Sequence, residues 1–336
     1  SLYRVLVTRS MSLSGFTVLF SAMTAVAWMV IQASDSIVKS YEDSLYIANL
    51  KEFLEYEPVM DERQTGLLPK SCEEAACGGP VLRFQHVSFT YLGQEEPVLH
   101  DICLTIDRHE KIAVVGHNGA GKTTFVKLLM RLYDVSEGEI QYFGTNIKEL
   151  DLPEYRKLYG TAFQDYQVFS MTVAENVLMR SPEGEEDYRK VEDCLKRAGV
   201  YERVSRLPHG MDTILTKEFA EDGAVLSGGE LQKIAVARAF AREYQIAVFD
   251  EPSSALDPVA EYQLYENILE ECADKTVIFI SHRLSTAVLA DRIYLFENGR
   301  IVEQGSHEAL MQKNGRYADM FRKQAENYVG GMKGVE

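Results

Sequence analysis

The sequence predicts an α/β protein, with a largely parallel sheet bearing helices on both faces and one long apolar helix ahead of it in the chain. Three observations predict it. Short buried-strand runs at Lys111–Val115, Gln245–Phe249 and Thr276–Ile280 are rich in Val, Ile or Phe and alternate with segments of helical spacing, the signature of strand–helix–strand units. The first of these runs ends in a glycine-rich turn that opens a helix. Before them, no charged residue occurs from Ser10 to Ser34.

In chain order, Phe16 to Ile31 is mostly apolar, carrying Val18, Leu19, Phe20, Val26, Trp28, Met29 and Val30, with Ser21, Thr24 and Gln32 diluting it. About 20 apolar residues in a helix cross a bilayer core. Hydropathy alone leaves two readings open, a membrane span and a buried amphipathic helix. Arg9 and Lys39 are too few to orient a span by charge. Asp35 to Tyr56 keeps helical spacing through Ile37, Val38, Tyr41, Leu45, Leu50 and Phe53, and Pro58 ends it. Residues 58–80 are rich in Pro and Gly and read as a linker. Val81–Tyr91 alternates as an outer strand, Lys122–Leu132 follows the glycine turn as a helix, and Glu183–Arg206 and Tyr262–Cys272 read as further helices.

The bulk numbers bound the function class. A chain of 336 residues holds one good-sized domain and an appendage, and 46% hydrophobic with 26% charged residues is ordinary for a folded protein. A net charge of −16 argues against nucleic-acid partners, which call for a basic excess, and fits a solvated surface. Five scattered cysteines, at 72, 77, 103, 194 and 272, form no disulfide framework. Cys72 and Cys77 lack a second cysteine pair or nearby His for zinc and read as free thiols. The opening residue is Ser rather than Met, with no signal-peptide order, and the chain reads as a fragment of a longer protein.

The chemistry lies in three motifs. Gly116-His117-Asn118-Gly119-Ala120-Gly121-Lys122-Thr123, followed by Thr124, is a Walker A phosphate loop in its required place between strand and helix. Its glycines let backbone amides close around phosphate oxygens, and the helix N-terminus adds positive potential. Lys122 reaches toward the β- and γ-phosphates, and the Thr123 hydroxyl toward Mg²⁺. Ile246–Glu251 is an apolar strand ending in two acids: Asp250 is placed to hold Mg²⁺ and Glu251 to polarise an attacking water. Leu226-Ser227-Gly228-Gly229-Glu230 is a glycine pair before a helix, suited to close approach to phosphate.

Together these motifs resemble the ATP-binding cassette (ABC) family over residues 81 to about 325. The resemblance implies a P-loop cassette with a helical signature subdomain, ATP and Mg²⁺ as ligands, and ATP hydrolysis by two cassettes that share two sites. It implies that Tyr91 stacks on adenine, that Gln164 touches Mg²⁺ and the water, and that His282 bonds the γ-phosphate. It further implies that Ser227 and Gly229 meet the nucleotide of a partner chain, and that Ser254-Ala-Leu-Asp257 passes signals between sites. Taken singly, Tyr91 has the alternative of an exposed strand end, Gln164 of polar surface, His282 of a structural histidine, and Ser254–Asp257 of a helix-capping turn. Glu221-Asp-Gly223 resembles the acidic loop that exporters place against intracellular helices. Glu230 stands where many members carry Gln, a conservative change because an acid is favoured at a helix start.

Gly15-Phe-Thr and Ser44-Leu-Tyr-Ile-Ala-Asn-Leu look like the last transmembrane helix of an exporter and its cytoplasmic extension. On that likeness, residues 1–57 end a membrane domain with a span at about 16–38. A linker at 58–80, a cassette at 81–327 and a tail at 328–336 follow. The implied protein is a half-transporter, multi-pass in the plasma membrane with its cassette in the cytoplasm. It pairs with a second half-transporter of the same or another kind and exports an unidentified substrate. The alternatives are a non-transport ABC switch acting on nucleic acid or ribosomes, and an importer ATPase with a separate membrane subunit. The apolar segment at 16–38 argues against both.

Overall fold

A computed structural model describes residues 12–56, 60, 66–69, 79–217, 221–252 and 258–331. It divides into two compact units, residues 1–61 and 62–336.

Within the first unit the described chain is one helix, α1 (Leu13–Glu55), begun by Ser12, whose hydroxyl accepts from the Gly15 amide. It carries a stretch long and apolar enough to cross a membrane, and none of its side chains is buried. At 1.5 Å per residue the helix is about 65 Å long, roughly twice a bilayer core of about 30 Å. One helix therefore has length for a span and for a polar extension beyond Asp35.

The second unit is built on two sheets. A six-stranded sheet has the order β10-β9-β3-β8-β7-β6, with β3 (Lys111–Gly116), β6 (Tyr159–Ala162), β7 (Ile246–Asp250), β8 (Thr276–Ser281), β9 (Arg292–Glu297) and β10 (Arg300–Gly305). All neighbours in it are parallel except the β9–β10 hairpin. A four-stranded antiparallel sheet has the order β2-β1-β4-β5, from β1 (Leu82–Phe89), β2 (Leu99–Ile106), β4 (Glu137–Tyr142) and β5 (Thr145–Asn146).

The parallel strands read as continuous apolar runs because both faces are covered. Alternate residues serve two cores. Ala113, Val115, Ala247, Phe249, Val277 and Phe279 enter one. Ile112, Val114, Ile246, Val248, Ile278 and Ile280 enter the other, which also takes Phe84, Leu99, Ile102 and Leu104 of the antiparallel sheet. This second core holds Phe125, Val126, Leu128 and Leu129 of the helix after the phosphate loop, α2 (Lys122–Leu129).

The remaining helices are α3 (Leu152–Lys157), α4 (Val173–Leu178), α5 (Glu185–Arg197), α6 (Tyr201–Val204), α7 (Gly228–Phe240), α8 (Pro258–Glu271), α9 (Leu284–Ala287), α10 (His307–Lys313) and α11 (Arg316–Gly331). From α4 to α7 they form the helical part, packed on the first core through Val173, Val177, Val191, Leu195, Ile234 and Val236. Bidentate pairing of Arg180 with Asp187, at 2.6 and 2.8 Å, ties the approach of α5 to its first turn. Arg180 draws the Asp187 carboxyl down to about 2, helped by the Glu183 amide.

Several expected elements differ. The helix expected over Glu183–Arg206 is two, α5 and α6, because Gly199 adopts φ +68 between them. The helix expected to reach Leu132 stops at Leu129, with Arg131 at φ +51. The helix expected to begin at Tyr262 begins at Pro258, whose fixed φ suits a first turn. Within the expected linker, Leu67 donates to Glu149 O at 2.8 Å and accepts from the Asp151 amide at 2.9 Å, so part of it is stitched to the second unit. Ser254–Asp257, Cys72, Cys77 and Pro58 lie outside the described residues.

Candidate active site

The phosphate loop runs from the end of β3 into α2. Three of its glycines are at positive φ: Gly116 (+149), Gly119 (+79) and Gly121 (+97). A Cβ at Gly116 would collide with the Phe296 carbonyl oxygen, so close backbone approach as well as conformation demands glycine there. The loop is stitched to the β9–β10 turn, whose central residues Asn298 and Gly299 have φ +47 and +71, as a type I′ hairpin requires. The Gly299 amide donates to Ala120 O at 3.2 Å, and Gly299 O accepts from the His100 amide at 2.9 Å.

A cavity of about 290 Å³ opens at the loop, lined by Val98, Asn118, Gly119, Gly121, Lys122, Thr123, Thr124, Gln164 and Glu251. The structure thus brings Gln164 and Glu251, 40 or more residues from the loop in sequence, to one wall with it. Lys122 is buried and donates from Nζ to the carbonyls of Gly116 and His117, at 2.9 and 3.0 Å. Burial lowers its pKa, against the opposing charges of Glu251 and Asp250.

Asp250 ends β7 and is buried. Burial pushes its carboxyl up to about 6; the Thr123 hydroxyl bond lowers it, and the Glu251 charge raises it further. A buried carboxylate whose direct partner is a neutral hydroxyl is suited to a cation. Asp250, Thr123 and Gln164 offer oxygen donors only, and this set fits a hard ion such as Mg²⁺.

Glu251 follows at φ +49, in the left-handed region that non-glycine residues rarely adopt. Its amide donates to Ile280 O at 3.1 Å, and its carbonyl accepts from Gln232 Nε2 of α7 at 3.2 Å. This turn brings its carboxylate Oε2 to 3.3 Å from His282 Nδ1. The His282 bond, opposed by burial, lowers the Glu251 pKa, and the same bond raises that of His282.

Tyr91 reaches the site through its hydroxyl, 3.1 Å from Thr124 Oγ1, with its ring edge-on to Phe89 and Tyr133. Ser227, Gly228, Gly229 and Glu230 do not line this cavity. They begin α7 in a capping box: Ser227 Oγ accepts from the Glu230 amide at 3.3 Å and Glu230 Oε2 from the Ser227 amide at 2.7 Å. Glu230 Oε1 also accepts from Arg203 Nε at 3.0 Å, so the acid at this position is fully used. His117 lines a separate cavity with Phe296, Arg316 and Met320, away from the one at Lys122. Ala120 is buried, and Asp222 of the acidic loop pairs with His209 at 2.9 Å.

Three contributors carry no motif that reading the chain could find. Val98 supplies an apolar wall, Asp165 adds negative charge near Asp250, and Tyr166 bonds Gly228 O at 2.9 Å. The last contact joins the segment after Gln164 to the start of α7.

A sequence-family model described as "ABC transporter" matches residues 99–254. The subtilin transport ATP-binding protein SpaT of Bacillus subtilis is 40% identical over 294 residues, 88% of this chain and 46% of that protein. The ATP-dependent lipid A-core flippase of Vibrio vulnificus is 35% identical over 311 residues, 92% of this chain and 51% of the flippase. A bacterial Atm1-family ABC exporter solved with ATP bound superposes with a TM-score of 0.72 at 30% identity, covering 85% of this chain and 48% of the exporter. The chain spans about half the length of the curated relatives it matches.

Proposed function

The chain belongs to the ABC transporter family, and on that premise we propose that it is the ATP-hydrolysing part of an exporter half-transporter. The observation that carries this reading is the convergence of the phosphate loop, Gln164 and Glu251 on one cavity, with Asp250 held against Thr123 beside it.

In this reading the ATP phosphates lie in the loop, met by its amides and by Lys122, while the adenine rests against Tyr91. Thr123, Gln164 and Asp250 would hold Mg²⁺, which when bound neutralises charge on the β- and γ-phosphates. Glu251, ionised beside His282, orients a water. The water oxygen bonds to the γ-phosphorus as the bond to the bridging oxygen breaks, and the proton passes to Glu251 and then to solvent. His282 and Lys122 stabilise the charge on the γ-phosphoryl oxygens.

Ser227, Gly228 and Gly229, with Glu230 fixing their turn, would meet the γ-phosphate held by a second half-transporter. ATP then closes the two cassettes, hydrolysis reopens them, and the cycle drives an unidentified cargo across the plasma membrane. Relatives named for subtilin transport and lipid A-core flipping support a membrane-crossing cargo, and the length and polarity of α1 support a span at about 16–38 followed by a cytoplasmic extension.

The test is Glu251→Gln. ATP binding is retained while turnover falls at least about 100-fold, the scale for losing a group that acts on the attacking water. Phosphate release near the parental rate would overturn the assignment.

A further inference from the structure

We propose that His86, Asp101 and Cys103 form a surface Zn²⁺ site on the antiparallel sheet. The His86 Nδ1, Asp101 Oδ1 and Cys103 Sγ atoms lie within 4.8 Å of one another, His86 to Asp101 at 2.7 Å and His86 to Cys103 at 3.6 Å.

Two opposed bulges build the cluster. Between the pairs Phe84–Leu104 and Val87–Ile102, Gln85 and His86 of β1 face Cys103 alone. Between Val87–Ile102 and Phe89–Leu99, His100 and Asp101 of β2 face Ser88 alone. The extra residues are His86 and Asp101, and both sit in the left-handed region, at φ +49 and +51. Left-handed non-glycine residues in a strand cost energy and recur where a side chain is re-aimed for function.

The bulges are held on every side. The His86 amide donates to Cys103 Sγ at 3.3 Å, and the Asp101 amide donates to Ser88 Oγ at 3.1 Å. On the other edge of β1, Gly138 packs so closely on the Gln85 and His86 carbonyls that a Cβ there would collide with them.

The geometry separates a metal site from a catalytic relay. In a relay, the thiol and the carboxylate would sit on opposite ring nitrogens. Here both approach Nδ1, so the three donor atoms converge on one point. Tetrahedral Zn²⁺, at about 2.0–2.1 Å from nitrogen and about 2.3 Å from sulfur, separates N and S by about 3.6 Å, the separation present. The Nδ1–Oδ1 contact must open by roughly 0.6 Å to reach the matching N–O spacing. One imidazole, one thiolate and one carboxylate are the donor mix zinc accepts, and the two anions balance its charge. The cysteine proton passes to solvent on binding. A groove of about 390 Å³, lined by Asp101, Cys103, Arg300 and Gln304 among others, admits a water as the fourth ligand.

Co²⁺ titration of the reduced full chain, in detergent, tests this. One equivalent gives a thiolate-to-Co²⁺ charge-transfer band and tetrahedral d–d bands, and Zn²⁺ displaces it. The charge-transfer band is lost in Cys103→Ser and survives in the Cys72→Ser/Cys77→Ser chain. Co²⁺ affinity falls at least about tenfold in His86→Ala and in Asp101→Asn, the scale at which perturbing a metal site shows. Absence of the band in the parent, or its persistence in Cys103→Ser with unchanged circular dichroism, would overturn the site.

Discussion

His282 Nδ1 lies 3.3 Å from Glu251 Oε2 across the ends of two adjacent parallel strands, β7 and β8. The contact depends on the left-handed turn at Glu251, which swings its carboxylate toward the β8 end. Each group shifts the other: histidine up, carboxylate down. The contribution of His282 to stability is complete below the ordinary histidine value of about 6.5 and is lost as pH rises through its raised folded value. That of Glu251 is present above the ordinary carboxylate value and is lost as pH falls through its depressed one. In nucleotide-free, metal-free protein, Glu251→Gln therefore lowers the His282 midpoint in an imidazole NMR titration. An unmoved midpoint would mean that the pairing is not formed in solution.

Lys122→Ala removes a buried ammonium that the loop carbonyls hold at the cavity. A charged hydrogen bond is worth about 1.5–3 kcal/mol, so fluorescent-nucleotide affinity falls by roughly 10- to 150-fold. Unchanged affinity would discredit the placement of phosphate in this loop.

Tyr91 separates stacking from hydrogen bonding. Tyr91→Phe deletes the bond to Thr124 and keeps the ring between Phe89 and Tyr133, so nucleotide affinity changes little. Tyr91→Ala loses about 1–3 kcal/mol of base stacking. Calorimetry giving equal affinities for the two variants would remove the adenine role.

Asp187 supplies a pH signature in the helical part. Its carboxyl titrates near 2, held there first by Arg180. Its stabilising contribution is present above the ordinary aspartate value of about 3.9 and is lost as pH falls through the folded value. Arg180→Ala moves the Asp187 carboxyl midpoint upward in a carbon-13 titration. A midpoint that stays near 2 would assign the shift to the Glu183 amide instead.

What could be read along the chain was whatever is local. The phosphate loop, the apolar strands at Gln245–Phe249 and Thr276–Ile280 and the glycine pair before a helix at Ser227–Glu230 are each contained in a few consecutive residues. Helix ends were harder, since Gly199 and Arg131 break helical spacing only through backbone conformation. The hairpin contact of Gly299 with Ala120, the Val98 wall and the Tyr166–Gly228 bond were illegible because each joins residues far apart in sequence. His117 shows the limit within a motif: adjacency to Asn118 did not put its side chain into the same cavity.

The Asn298–Gly299 turn has a practical consequence. A two-residue hairpin tip is where a protein engineer first inserts a tag, epitope or fluorophore. Here that tip is clamped between Ala120 and His100, and a Cβ at Gly299 would collide with the Val98 carbonyl beside the cavity. A graft at 298–299 would be felt at once by the nucleotide loop.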